Sequence, residues 1–247
     1  MPVLGIEAAT PVATVGIVDG EKVLSERLLN NGRTHSVNLL PMIKGVLEDA
    51  GVVPASLEGI AVSSGPGSFT GLRIGLSTAK TLAQVWKIPV VGVSTLDVLA
   101  NGLSGNNALL CPILNARKNE VYTAVYSNTD FLSLECLVGP LAVSIEELVS
   151  ILQKSNFDSG FVMFLGDGVP VYKEKILSYL GKRVIFAPAP LSFPRGAVAA
   201  QLGWKLLQQG LGLHPFELLP DISAYLKPSW SGCENRRQIR YNHEYRI

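Results

Sequence analysis

Residues 59–83 read GIAVSSGPGSFTGLRIGLSTAKTLA. Gly59 to Ser64 are small or β-branched and uncharged, as a strand covered on both faces requires. Leu72, Gly75, Leu76, Ala79, Leu82, Ala83 and Trp86 then fall on one face of a helix. Between the two stands a glycine turn, Gly65, Pro66, Gly67, Ser68, Phe69, Thr70 and Gly71, followed by Arg73. Its glycines let the backbone reverse sharply, and free amides at the helix start can hold an anion. The plainer alternative is a tight strand-to-helix connection with no ligand.

Upstream, Val3–Glu7, Thr14–Val18 and Lys22–Leu29 read as strands, with Asp19-Gly20 as a hairpin turn. A helix is expected from Ser36 to Ala50, ended by Gly51, with Pro41 required near its first turn or at a kink. Downstream, Pro89–Val93 is a strand, and Ser94 with Asp97 opens a short helix. The order β-β-β-α-β-α-β-α then repeats. The strands are Leu109–Leu114, Val121–Tyr126, Phe131–Val138, Phe161–Leu165 and Val184–Ala187. A Ser144–Glu147 capping box opens one helix, and Val169–Leu180 and Arg195–Gln209 are the others. Two such halves imply two mixed sheets with helices on their faces. The second half carries its own glycine turn, Gly166-Asp167-Gly168, at the matching place, so the two turns are expected to face one cleft.

Composition narrows the function. The chain has 247 residues, one large domain or two small ones at roughly 150 residues each. Hydrophobic residues are 47% and charged residues 17%, which supplies a sizeable core and excludes a fully disordered chain. The net charge of +1 argues against a nucleic-acid or membrane-surface role for the whole body. The last 21 residues are the exception, with five basic and two acidic side chains. There Arg236, Arg237, Arg240 and Arg246 are interleaved with Trp230, Tyr241 and Tyr245; a solvated terminus is favoured over a nucleic-acid contact. Cys111, Cys136 and Cys233 make neither a disulfide framework nor a zinc spacing, which fits a reducing cytoplasm. The uncharged window Val98–Ala116 is broken by Asn101, Ser104, Gly105, Asn106, Asn107 and Pro112, so no membrane span is expected.

Several chemistries are disfavoured by residue type. No Lys follows the glycine turn at the P-loop distance, and Ser63-Ser64-Gly65 is not a nucleophile elbow. His35, His214 and His243 have no partner at i+4, so no transition-metal site is expected. A magnesium–triphosphate cleft needs carboxylates where the first strand of each half ends, and those places carry Glu7 and Asn115. With Gly166, Asp167 and Gly168 they describe a degenerate nucleotide cleft.

The run at residues 63–83 resembles the signature of the TsaB family, also called YeaZ. Weaker similarities are His35-Ser36 with Leu39-Leu40-Pro41, Ala116-Arg117 with Glu120-Val121-Tyr122, Gly166–Gly168, and Tyr225-Leu226-Lys227. The resemblance covers residues 1 to 227 and implies an actin-like ATPase fold of two ribonuclease-H-like lobes. The lobes are expected at 1–105 and 106–227, with the last helix free to pack back on the first, and a basic tail at 228–247. It also implies a non-catalytic cytoplasmic subunit that binds the catalytic paralogue TsaD, alongside the ATPase TsaE, for threonylcarbamoylation of the tRNA adenosine beside the anticodon. Contact with tRNA would be indirect, and the chain alone would form a two-fold homodimer. The implied interface is an outward apolar band of Leu39, Leu40, Ile43, Val46 and Leu47 on one helix and Gly71, Leu72, Gly75, Leu76 and Ala79 on the next. No cofactor or metal is expected, although weak or shared nucleotide binding at the partner interface is left open. Glu7 and Asn115 stand where the family more often has Asp. The competing readings are an actin-fold ATPase or kinase and a glycoprotease-like metallopeptidase.

Overall fold

The computed structural model describes residues 1–221 apart from 33, 106, 131–132 and 155–159. The C-terminal tail, Tyr225–Lys227, Cys233 and His243 lie outside the described residues.

The first half comprises β1 (Pro2–Glu7), β2 (Ala13–Asp19), β3 (Lys22–Leu29), α1 (His35–Ala50), β4 (Gly59–Gly65), α2 (Phe69–Trp86), β5 (Val90–Ser94) and α3 (Thr95–Asn101). The second comprises β6 (Leu109–Asn115), β7 (Glu120–Asp130), β8 (Ser133–Ser144), α4 (Ile145–Lys154), β9 (Val162–Leu165), α5 (Val169–Leu180), β10 (Val184–Phe186) and α6 (Gly196–Gln208). The sheets run β3-β2-β1-β4-β5 and, read from its other end, β8-β7-β6-β9-β10. In both, the first three strands are antiparallel neighbours and the last two join in parallel. The repeat read from the sequence is therefore a repeat of topology.

Local signals explain the element ends. Gly51 closes α1 in the left-handed conformation. Ser94 accepts from the Asp97 amide at the start of α3. Ser144 and Glu147 cap α4 reciprocally at 3.0 and 3.2 Å. Two expectations need adjustment. Pro41 sits in the second turn of α1 rather than its first. β8 continues past Val138 through Gly139-Pro140 to Ser144, because it is an edge strand on which proline forfeits no ladder bond.

Each sheet borrows a helix from the other half. On one face of the first sheet, Leu39, Ile43 and Val46 of α1 and Leu76, Ala79 and Ala83 of α2 pack on Leu4, Ile6, Val15 and Ile60. Its other face, Val3, Val18, Ala61 and Val91, is covered by Ala197 and Ala200 of α6. α4 and α5 cover one face of the second sheet, and Leu96, Leu99 and Ala100 of α3 cover the other. α3 and α6 meet at Val98 and Ala199, and the Tyr126 hydroxyl on β7 donates to Asp97 at 2.5 Å.

The seat of α6 requires missing side chains. A Cβ on Gly5 would overlap the Gly196 carbonyl, and one on Gly16 would overlap the Ala197 amide. Glu26 on β3 then fastens the helix start by accepting from Ala197 N at 3.0 Å and from the Arg195 guanidinium. Gly16→Ala should lift α6 from the sheet and cost about 1–3 kcal/mol, read as a lower midpoint of thermal unfolding. An unchanged midpoint would show that the helix is not held by backbone proximity.

Candidate functional site

β1 delivers Glu7 to the middle of the first half, where it is fully buried. The Ser63 hydroxyl on β4 donates to one carboxylate oxygen, and the Ala9 amide donates to the other at 2.7 Å. Glu7 is therefore an internal anchor, a correction to its expected place lining a cleft. The loop that follows it, Ala8 to Val12, reaches both long helices. The Ala9 carbonyl accepts from the Ser68 amide at 2.7 Å, and the Thr10 carbonyl accepts from His35 Nε2 at 2.8 Å. One short loop thereby joins the start of α2 to the start of α1.

The glycine turn is shaped by this contact. Gly65-Pro66 is cis, and both residues are buried. Gly67 has φ +154, and a Cβ on it would overlap the Ala9 carbonyl; one on Gly71 would overlap the Ala8 carbonyl. Ser68 accepts from the Gly71 amide at 3.3 Å and caps α2. The expectation of free amides for an anion is corrected at Ser68 and Gly71, whose amides are used by the chain itself. Phe69 and Thr70 are exposed, and the Arg73 guanidinium lies over the Phe69 ring at 3.9 Å.

The second turn is built alike. Gly168 N donates to the Ile113 carbonyl at 3.0 Å, and a Cβ on Gly166 would overlap that carbonyl. Asp167 accepts from the Asn115 amide at 2.9 Å. Burial raises the Asp167 carboxyl above its ordinary value, with the Asn115 amide opposing. The first half thus ties its turn to the loop after its first strand and the second half to its first strand itself, and no hydrogen bond links Glu7 to Asn115 or Asp167 among the described residues.

This arrangement does not fit a magnesium–triphosphate. Carbonyl oxygens of Ala8, Ala9 and Ile113 stand against the turns, where an anion would need donors. No group of three or more His, Cys, Asp or Glu is placed to hold a metal among the described residues. None of their helices is long and apolar enough to cross a membrane.

The expected docking band is also corrected. Leu39, Ile43, Val46, Leu47, Leu72, Leu76 and Ala79 are at most 9% exposed, and Gly71 and Gly75 are buried as well. They form the inner face of α1 and α2, because helices laid side by side on a sheet spend their apolar stripes on it. Of the band only Leu40, 55% exposed, faces outward. Val37 at 59% and Val85 at 68% are outward apolar residues that the sequence reading missed. The available signal was their offset from the helix stripe: Val37 precedes it, and Val85 falls between Ala83 and Trp86 on the opposite side.

Desolvation pushes the Glu7 carboxyl up to about 7, against the stabilising bonds from Ser63 and Ala9. Between the ordinary 4.5 and 7 the folded chain holds a proton that the unfolded chain has released. Its contribution to stability is therefore complete below 4.5 and is lost as pH rises through 7, by roughly 3 kcal/mol. Glu7→Gln should flatten this part of the stability–pH curve in urea unfolding; an unchanged slope would contradict the assignment.

Comparison with known proteins places the architecture. Residues 22–225 match a family model described as TsaD, tRNA N6-adenosine threonylcarbamoyltransferase. The chain is 32% identical over 203 residues to the tRNA threonylcarbamoyladenosine biosynthesis protein TsaB of Bacillus subtilis, covering 82% of this chain and 87% of that protein. The structure of YeaZ from Pseudomonas aeruginosa superposes with a TM-score of 0.75 at 24% identity, over 89% of this chain and 98% of that one. An inorganic polyphosphate/ATP-glucomannokinase from Arthrobacter shares the fold at a TM-score of 0.50 and 15% identity, over 84% and 99%. With two topologically repeated α/β halves and these similarities, the chain has the actin-like fold and belongs to the TsaB (YeaZ) family.

Proposed function

We propose that this protein serves tRNA threonylcarbamoyladenosine biosynthesis as a non-catalytic scaffold that docks the catalytic paralogue, TsaD. The carrying observation is the pairing of a closed centre with an open helical face. The glycine turns spend amides on Ala9 and Ile113, whereas Val37 and Leu40 stand exposed on α1 beside α2. Val37 and Leu40 are three residues apart and so lie side by side on α1, and a contiguous exposed apolar patch is what an interaction surface offers. The loop from Ala8 to Val12 holds the two helix starts in fixed relation, so the face is presented preformed.

On this reading the chain brings no nucleotide or metal of its own to the reaction. TsaE joins the assembly through the complex, and the work is done in the cytoplasm. When the partner is absent the same patch is reused in a two-fold homodimer, since an isologous contact needs only one surface. The transferase named by the family model is a poorer reading, because the described residues offer neither a metal-ligand cluster nor a fitted phosphate cradle.

Co-expression with the catalytic paralogue tests the docking face. Val37→Asp and Leu40→Glu should abolish co-elution on size exclusion and convert the isolated chain to monomer, with circular dichroism unchanged. Leu39→Glu, one residue away but 1% exposed, should unfold the chain instead. A complex that survives both outward charges would place the interface elsewhere.

A further inference from the structure

Beyond α6 the chain turns back across the first half and is pinned at three places. Leu213 exchanges backbone bonds with Val90 at 2.9 and 3.0 Å, Leu218 is buried in the core, and Asp221 N donates to the Ser64 carbonyl at 2.8 Å. Between these pins Phe216 is 70% exposed, and the His214 ring lies against it with centroids 5.5 Å apart. Beside this aromatic pair is a pocket of about 440 Å³ with Ala83, Ile88 and Pro89 as apolar wall and Gln84, Lys87 and His214 as polar lining. Its volume lies within the range that takes a small organic group.

The charge along α2 and at its end is of one sign. Residues 59–96 contain Arg73, Lys80 and Lys87 and no acidic residue. Their spacing of seven sets them along one side of α2, the outer two about 21 Å apart. Lys80 Nζ donates to the Leu218 carbonyl at 3.0 Å, which ties this cationic line to the returning segment. Lys87 has no ion pair among the described residues and takes the left-handed conformation, φ +57, that glycine usually supplies at a helix end. The nearby acids are Glu217, whose carboxylate accepts from the His214 amide at 3.3 Å, and Asp221. The Phe216 amide donates to His214 Nδ1 at 3.5 Å.

We propose that this corner binds single-stranded RNA, with an unpaired base stacked on Phe216, next to His214 of the pocket wall, and phosphates along Lys87, Lys80 and Arg73. An exposed aromatic platform beside cations that have no carboxylate partner among the described residues is what recognition of unpaired nucleotides requires, since stacking tolerates any base and cations track the backbone. A protein partner fits less well, because the polar side chains that line the pocket, Gln84, Lys87 and His214, include no carboxylate. The inference rests on the role in tRNA modification proposed above and adds a direct RNA contact separate from the α1–α2 face.

The test uses the full-length chain and a fluorescein-labelled 12-nucleotide oligouridine, followed by anisotropy across a salt series. Phe216→Ala should weaken binding about tenfold with little change in salt slope. Lys87→Gly should weaken binding about fivefold and reduce the slope by about 0.7, while raising Tm because glycine relieves the left-handed strain. Lys182→Ala, an exposed lysine of the second half, should leave affinity unchanged. Equal affinity of all three variants to the parent, or equal losses in all three, would overturn the proposal. The same variants should still co-elute with the catalytic paralogue; loss of co-elution with unchanged RNA affinity would assign the corner to a protein and overturn it. Failure of Val37→Asp and Leu40→Glu to disrupt that complex bears on the docking reading alone.

Discussion

The bond from the Ser68 amide to the Ala9 carbonyl, 2.7 Å long, occupies the turn where a phosphate-binding fold would keep its donors free. It is possible only because Gly67 and Gly71 carry no Cβ to meet the Ala9 and Ala8 carbonyls. The glycines therefore serve close approach of the chain to itself. Once the loop is seated, Glu7 anchors its near end through Ala9 N and Ser63, and His35 grips Thr10. The starts of α1 and α2 are then fixed relative to the sheet. The same solution recurs where Gly166 and Gly168 close on Ile113.

A second constraint joins the halves. α6 leaves the second half to cover the first sheet, and α3 leaves the first to cover the second. Neither sheet would have both faces buried by its own half. Glu26 holding Arg195 and Ala197, and Tyr126 holding Asp97, fasten the exchange with bonds between residues far apart in sequence. The outer sides of α1 and α2 remain free, with Val37, Leu40 and Val85 on them, as does that of α5, with Val171, Leu177 and Tyr179.

The sequence carried the elements better than their surfaces. α5 was legible to its last residue because Val169 follows a glycine turn and Gly181 ends the run. The box at Ser144 and Glu147 formed as its residue types demand. The end of β8 was missed because Gly139-Pro140 reads as a breaker until its place at a sheet edge is known. The docking band was misplaced for a related reason: an apolar stripe announces a buried face, and Leu39 through Ala79 followed that rule. Phe216 and the pocket beside it were not legible, because they depend on a returning segment whose pairing with Val90 is not written in its local pattern.

Amide hydrogen exchange on the full-length chain tests most directly whether this centre is closed by its own backbone and presents α1–α2 instead. Adding magnesium-ATP should leave exchange at residues 65–71 and 166–169 unchanged. Adding the catalytic paralogue should slow exchange in residues 36–44 and 74–86. New protection at the two glycine turns on addition of nucleotide alone would contradict the account.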